Sequence, residues 1–224
     1  VTPSFDLHPL GDQAWLATFA DADAAAAWHA AAERLRGRDG ITDFVLAYAS
    51  VAVHYDATRL DPFALRDELA AIEPGPVAEI AARVIEIPTL YDGADLSDVA
   101  AHLGRSVDEV VSLHSGPTYR VFALGFLPGF PYCGYLPPEL SGLPRRREPR
   151  PRVPVGSVAI AGRQTGIYPA ASPGGWHLLG RTPLRIVDLA AGYFPILPGD
   201  RIRFRPITAA EFETAAGRPL RLES

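Results

Sequence analysis

The chain has 224 residues, 48% of them apolar and 21% charged, a balance that admits one large globular domain or two small ones. Its net charge of −5 argues against nucleic acid as a general partner, because binding a phosphate backbone needs a surplus of positive charge. All 21 Lys and Arg positions are arginine, which excludes a P-loop lysine, a Schiff-base lysine and a biotinylated lysine in this chain.

No stretch approaches the roughly 18 uninterrupted apolar residues of a membrane span. The N-terminal VTPSFDLHPLGDQ lacks the basic start and apolar run of a secretory signal, and the single Cys133 can neither pair internally nor build a Cys-rich zinc site. A cytoplasmic protein with no membrane contact is expected.

Ala14–Phe19 predicts a short apolar strand. Asp21 or Asp23 can cap the helix after it, since an Asp oxygen satisfies first-turn N–H groups that lack an intrahelical partner. On that helix Trp28, Ala31, Ala32 and Leu35 fall at i, i+3, i+4 and i+7, one apolar stripe that Gly37 closes. ITDFVLAY and SVAVHYD predict two strands around Ala49–Ser50. Asp61-Pro62 is a cap followed by proline at the first helical position; Leu65, Leu69 and Ile72 supply the buried face, and Pro74-Gly75-Pro76 ends the helix. Val84–Pro88 is the next strand, so the order reads β-α-β-β-α-β and predicts a ferredoxin-like α+β unit over residues 1–85.

Two short helices follow. Leu96, Val99, Ala100 and Leu103 form one stripe, stopped at Gly104. Ser106 with Glu109 makes a capping-box pattern ahead of a second stripe, Val107, Val110 and Val111, which His114 continues. From Tyr119 onward helical periodicity disappears. Short strands at Tyr119–Leu124, Ser157–Ala161, Leu184–Asp188 and Arg201–Arg205 alternate with loops dense in Pro and Gly, which predicts a closed or partly closed β-barrel within residues 86–224.

Three loops carry candidate chemistry. Gly125-Phe126-Leu127-Pro128-Gly129-Phe130 presents two aromatics on a stiff backbone; Phe126 and Phe130 suit an ordinary barrel turn, a pocket wall or a subunit contact. PRRREPRPRVP over Pro144–Pro154 holds five arginines that proline keeps out of any helix. It is a solvated face or an anion cradle in which Arg145 and Arg146 bind phosphate or carboxylate. In GRQTGIYPAASPGGWHLLGRT, Gly174 and Gly175 can bring backbone N–H groups close to an anion, and Gln164, Thr165, Tyr168, Ser172, Trp176 and Arg181 border the same segment. P-loop and dinucleotide spacings are absent there. There is no HExxH and no i, i+4 histidine pair, so no metal site is expected. His114, on an apolar stripe, is a core or helix-end residue or else a general base.

HSGPTYRV (114–121), GFLPGFPY (125–132), LPRRREPRPRVPVGSVAIAG (143–162), QTGIYP (164–169) and SPGGWHLLGRTPLRIVD (172–188) resemble the family of 5-oxoprolinase B subunits. That family also carries the labels allophanate hydrolase subunit 1 and KipI-type sporulation-kinase inhibitor. GDQAWLATF and IEIPTLYDG resemble it too, so the likeness runs over nearly the whole chain. It implies an α+β N-terminal domain and a cyclophilin-like β-barrel. It implies a C subunit (KipA-like, or allophanate hydrolase subunit 2-like) and a LamB/YcsF-type A subunit as partners. The reaction implied is cleavage of 5-oxo-L-proline to L-glutamate at the expense of ATP, with Mg2+, at the level of the complex and without biotin on this chain. On that resemblance Arg145, Arg146 and Arg181 offset phosphate charge, Gln164, Thr165 and Tyr168 orient the substrate, and His114 moves a proton. The rival implications are inhibition of a histidine kinase and a urea carboxylase or allophanate branch. Cys133, Arg163 and His177 depart from the usual family residues without breaking a motif.

Overall fold

The computed structural model describes residues 5–74 and 83–222. The chain divides into two compact units, Val1–Ala81 and Ala82–Ser224.

In the first unit, strands β1 (Phe5–Pro9), β2 (Ala14–Phe19), β3 (Ile41–Ala47) and β4 (Ser50–Tyr55) form an antiparallel sheet in the order β1-β2-β4-β3. Helices α1 (Ala22–Ala32) and α2 (Pro62–Ala70) are capped as their sequences require: Asp21 accepts from the N–H groups of Asp23 and Ala24, and Asp61 from that of Phe63. Trp28, Leu65, Leu69 and Ile72 pack with Ala17, Phe44, Val51 and Val53 in a single core. Leu35 joins that core from a 3-10 turn after α1. Of the proline stop after α2, Pro74 is described, while Gly75 and Pro76 lie outside the described residues.

The edge beside β2 departs from the expected β-α-β-β-α-β order. The strand at β5 (Val84–Thr89) does not join this sheet; the place is taken by β1, which pairs with β2 from Phe5↔Phe19 to Pro9↔Trp15. An edge strand such as FDLHP, with no buried residue, carries almost none of the apolar alternation that marks a strand in sequence.

The second unit continues with α3 (Leu96–Leu103), α4 (Val107–Ser115), β6 (Tyr119–Leu124), β7 (Pro131–Gly134), β8 (Arg150–Val153), β9 (Ser157–Ala161), β10 (Gln164–Ile167), β11 (Ser172–Gly174), β12 (His177–Arg181), β13 (Arg201–Pro206) and α5 (Ala209–Ala215). Seven strands run β12-β9-β10-β7-β6-β13-β5, with β5 and β13 parallel; β8 and β11 make a separate two-stranded ribbon. The chain after β5 bends across to the opposite edge. Leu90 and Arg181 exchange both backbone hydrogen bonds at 2.9 Å, and the N–H groups of Gly93 and Asp95 reach the carbonyls of Leu179 and Leu178 at 3.1 Å. The result is a nearly closed, barrel-like sheet in a mixed α+β chain. Gly93 and Gly180 sit at this seam because nothing larger fits. A Cβ on Gly93 would overlap the Leu178 carbonyl and lie 2.5 Å from the Gly180 nitrogen, and a Cβ on Gly180 would overlap the Leu90 carbonyl.

All five residues of β9 are buried. Val158 and Ile160 face the main core with Ile85, Ile87, Val110, Tyr119, Ile202 and Phe204, while Ala159 and Ala161 face a second, smaller cluster of Phe130, Val153, Tyr168, Trp176 and Leu178. The expected strand at Leu184–Asp188 is absent: Ile186 and Val187 are buried, but Arg185 and Asp188 make only isolated bridges, to Pro219 and Tyr193. Burial there comes from packing of an irregular segment, which alternation alone cannot distinguish from a strand. Among the described residues no helix is long and apolar enough to cross a membrane.

Candidate functional site

A cavity of about 280 Å³ opens over the smaller core cluster of the second unit. Its apolar walls are Phe126, Phe130, Tyr132, Tyr168 and Trp176, and Arg145, Arg146, Pro149, Pro173, Gly174 and Gly175 complete the lining. Phe130 is the hub. Phe126, Tyr132, Tyr168 and Trp176 meet it edge to face at centroid distances of 5.6, 5.0, 5.2 and 5.5 Å. Such T-shaped contacts match a positive ring edge to a negative face and hold the walls in one arrangement.

Local sequence explains why the rim is placed so closely. The backbone N–H of Arg146 donates to the Gly175 carbonyl at 2.7 Å, and His177 Nε2 donates to the Pro144 carbonyl at 2.8 Å, so the arginine run is tied to the Gly174–Gly175 turn. A Cβ on Gly174 would overlap the Tyr168 hydroxyl; glycine lets that hydroxyl in, and the Trp176 backbone N–H donates to it. Burial pushes the Tyr168 phenol above its ordinary pKa, so it stays protonated. Arg145 is exposed and faces no carboxylate within ion-pairing distance among the described residues. Phe126 is 59% exposed at φ +65°. The Leu127 N–H bonds the Gly125 carbonyl across it at 2.7 Å, a tight three-residue turn that a non-glycine residue enters only at a cost in strain.

Of the residues singled out in sequence, the pocket unites Phe126, Phe130, Arg145, Arg146, Tyr168, Gly174, Gly175 and Trp176. Phe130 is 1% exposed and is therefore a wall, not a contact surface. The other five lie elsewhere. Gln164 and Ser172 do not line the cavity; Ser172 is buried, its hydroxyl donating to the Pro173 carbonyl at 3.1 Å. Arg181 points outward, pairs with Asp92 at 2.8 Å and lies 4.3 Å over the Phe212 ring, so its positive charge is already matched at the barrel seam.

His114 and Thr165 are wholly buried in the main core. Thr165 Oγ1 donates to the Ala159 carbonyl at 3.1 Å and so accepts from His114 Nε2 at 2.8 Å; Nδ1 is then the acceptor for the Tyr91 hydroxyl at 2.7 Å. This assignment makes the imidazole neutral with both nitrogens satisfied, and burial lowers its pKa to about 3. A histidine so placed links α4 to β10 and does not line the cavity.

Sequence reasoning missed two residues that shape the site. Tyr132 completes the aromatic walls. Asp95, 2% exposed, accepts from Arg146 Nη1 at 2.9 Å, Arg150 Nη2 at 2.6 Å and the Leu178 N–H at 2.7 Å. An Asp directly before a helix reads as a cap, yet its side chain makes no capping bond. The available hint was that five crowded arginines call for a buried counter-charge. The lining carries cationic and aromatic groups and no carboxylate, and no cluster of metal-ligating side chains occurs among the described residues; the cavity therefore fits a small anion with an apolar body and does not fit Mg2+.

Residues 5–194 match the model of the carboxyltransferase domain, subdomain C and D. The B subunit of 5-oxoprolinase from Bacillus subtilis (strain 168) is 35% identical across 95% of this chain and 97% of its own length. The B subunit of 5-oxoprolinase from Escherichia coli O157:H7 is 53% identical over 145 residues, 62% of this chain and 63% of that one. The crystal structure of TTHA0988 superposes with a TM-score of 0.78 at 41% identity, covering 88% of this chain but only 40% of that one. The chain thus belongs to the family of the carboxyltransferase domain, subdomain C and D, among relatives named as B subunits of 5-oxoprolinase.

Proposed function

We propose that this chain is the B subunit of an ATP-dependent 5-oxoprolinase, and that its pocket holds the anionic end of the substrate at a junction with a C subunit, with an A subunit completing the assembly. The observation that carries the reading is the aromatic cavity rimmed by Arg145 and Arg146 in a chain whose relatives bear that name. 5-Oxoproline is a compact ring with one carboxylate. Its ring suits walls of Phe130, Tyr132 and Trp176, and its carboxylate suits a guanidinium fork at the rim. The need for a second chain is supported by the relative TTHA0988, of which this chain spans 40%, and by Phe126, held exposed on a strained turn beside the cavity mouth.

In this reading Arg145 and Arg146 offset negative charge on the substrate and on whatever builds up as the lactam bond is activated. The Tyr168 hydroxyl and the Gly174–Gly175 turn fix its orientation. ATP acts at the level of the complex, with ligands for its Mg2+ supplied by the nucleotide and by a partner. His114 and Arg181 take no part in the chemistry.

The test is ADP release from the chain mixed with its C and A subunits and 5-oxo-L-proline. Arg145→Ala is expected to lower turnover per KM by about tenfold to a hundredfold, the worth of a hydrogen bond to a charged group. Arg181→Ala is expected to stay near wild type. Equal activity of Arg145→Ala and wild type sinks the site. Kinase inhibition, the rival role, needs only the exposed Phe126 face and would be blind to Arg145.

A further inference from the structure

Five arginines between Arg145 and Arg152 would give the cavity rim a strongly positive field if nothing offset them, and the fold buries one carboxylate among them. Asp95 spends both oxygens: Oδ1 accepts from Arg146 and Arg150, and Oδ2 accepts from the Leu178 N–H on β12. It cannot swing toward a ligand. Burial alone would raise the Asp95 pKa, but the Arg150 and Leu178 hydrogen bonds and the two guanidinium charges hold it below its ordinary value, so the charge persists. Capping of α3 does not explain the residue, since no capping bond is made. Arg146 Nε and Arg150 Nη1 are also buried with no hydrogen-bond partner among the described residues. The guanidinium pair therefore keeps donor capacity beyond what Asp95 takes up, and Arg146 lines the cavity.

We propose that Asp95 determines which anions the cavity accepts: by cancelling one of the two charges of the Arg146–Arg150 pair and pinning Arg146 to β12, it tunes the site to singly charged carboxylates and against multiply charged phosphates. The physical reason is that pocket charge multiplies ligand charge. Each unit of positive charge left uncancelled strengthens binding of a dianion or trianion more than of a monoanion, by about tenfold for each extra ligand charge at this range and exposure. The proposal rests on the reading of this cavity as the 5-oxoproline site, but not on ATP hydrolysis or on the C and A subunits. Loss of ADP release with 5-oxoproline binding intact and a failure of the anion preference are thus separate results.

Titrate the full chain with 5-oxo-L-proline and with inorganic pyrophosphate at fixed ionic strength and neutral pH. The signal is the fluorescence of Trp176 in the cavity wall, and Arg145→Ala is the control that the signal reports the cavity. Wild type is expected to favour 5-oxoproline. Asp95→Asn keeps the size but removes the charge, and with it the acceptor for either the Leu178 N–H or the guanidinium pair; it is expected to shift the ratio of dissociation constants about tenfold or more toward pyrophosphate. Removing a guanidinium as well, in Asp95→Asn/Arg150→Gln, is expected to bring the ratio back, whereas a purely structural Asp95 would leave the double variant worse than the single one. Should Asp95→Asn fail to fold, Arg150→Gln alone is expected to move the ratio in the opposite direction, further toward 5-oxoproline. An unchanged ratio in Asp95→Asn, a double variant worse than the single, an unmoved Arg150→Gln or a wild type that binds neither anion overturns the proposal.

Discussion

Replacing Gly93 with alanine is expected to destabilise the second unit by about 3 kcal/mol or more, at the upper end of overpacking effects, because the added methyl meets backbone and not a side chain that can turn aside. The Leu178 carbonyl, the Leu179 carbonyl carbon and the Gly180 nitrogen surround the position. Relief requires β12 to move away from the Leu90–Asp95 segment, and that movement breaks the hydrogen bonds that join the two edges of the sheet. Gly104→Ala is the matched control. Gly104 closes α3 at φ +64° with no neighbour within 4 Å, so alanine there costs only the left-handed backbone penalty of roughly 1–2 kcal/mol. Urea midpoints of the two variants, with equal m-values, decide the matter; a Gly93→Ala midpoint no lower than that of Gly104→Ala would show that the seam yields.

Acid is expected to destabilise the second unit through His114 well above the pH at which carboxylates protonate. The folded pKa is about 3 and the ordinary value 6.5, so between those limits the unfolded chain binds a proton that the folded chain refuses. The stabilisation is complete above pH 6.5 and is lost as pH falls toward 3, with a limiting slope of about 1.4 kcal/mol per pH unit. Going from pH 7 to pH 5 should therefore cost about 2 kcal/mol from this group. The groups around the ring, Tyr91, Thr165, Tyr119 and Phe204, supply no carboxylate to rescue the cation. His29, in the first unit, is also lowered, chiefly by burial, and acts in the same direction. The difference between wild type and His114→Asn isolates the His114 contribution: the amide does not titrate, so the variant starts less stable at pH 7 but loses less on acidification. Parallel pH profiles for the two proteins would refute the assignment.

The elements that could be read from sequence were those whose signal is local. Asp61-Pro62, the Ser106–Glu109 capping box and the alternation in Arg201–Arg205 each state a hydrogen-bonding or burial requirement within a few residues, and the structure meets all three. What could not be read depends on partners far along the chain. Val84–Thr89 has the composition of a strand, but nothing in it says that its neighbour is Arg201–Pro206 rather than Ala14–Phe19. His114 continues an apolar helical stripe whether it is a catalyst or a core residue; Tyr91 and Thr165, 23 and 51 residues away, decide that it is core. The same holds at the cavity. Glycine, tyrosine and arginine near one another in sequence pointed to Arg145, Arg146, Tyr168 and Gly174. Arg181, equally polar, is drawn off by Asp92, and Asp95 enters the arginine cluster from 51 residues upstream of Arg146.

The parallel pairing of β5 with β13 also orders events at the ribosome. The first unit uses only residues that emerge early, so its sheet can form while synthesis continues. The barrel cannot, because the strand begun at Val84 waits unpaired on that side until Arg201–Pro206 has been made, more than a hundred residues later. During that interval Ile85 and Ile87 have no sheet partner on the β13 side, and nascent chains stalled before Arg201 are the forms on which chaperones should be found.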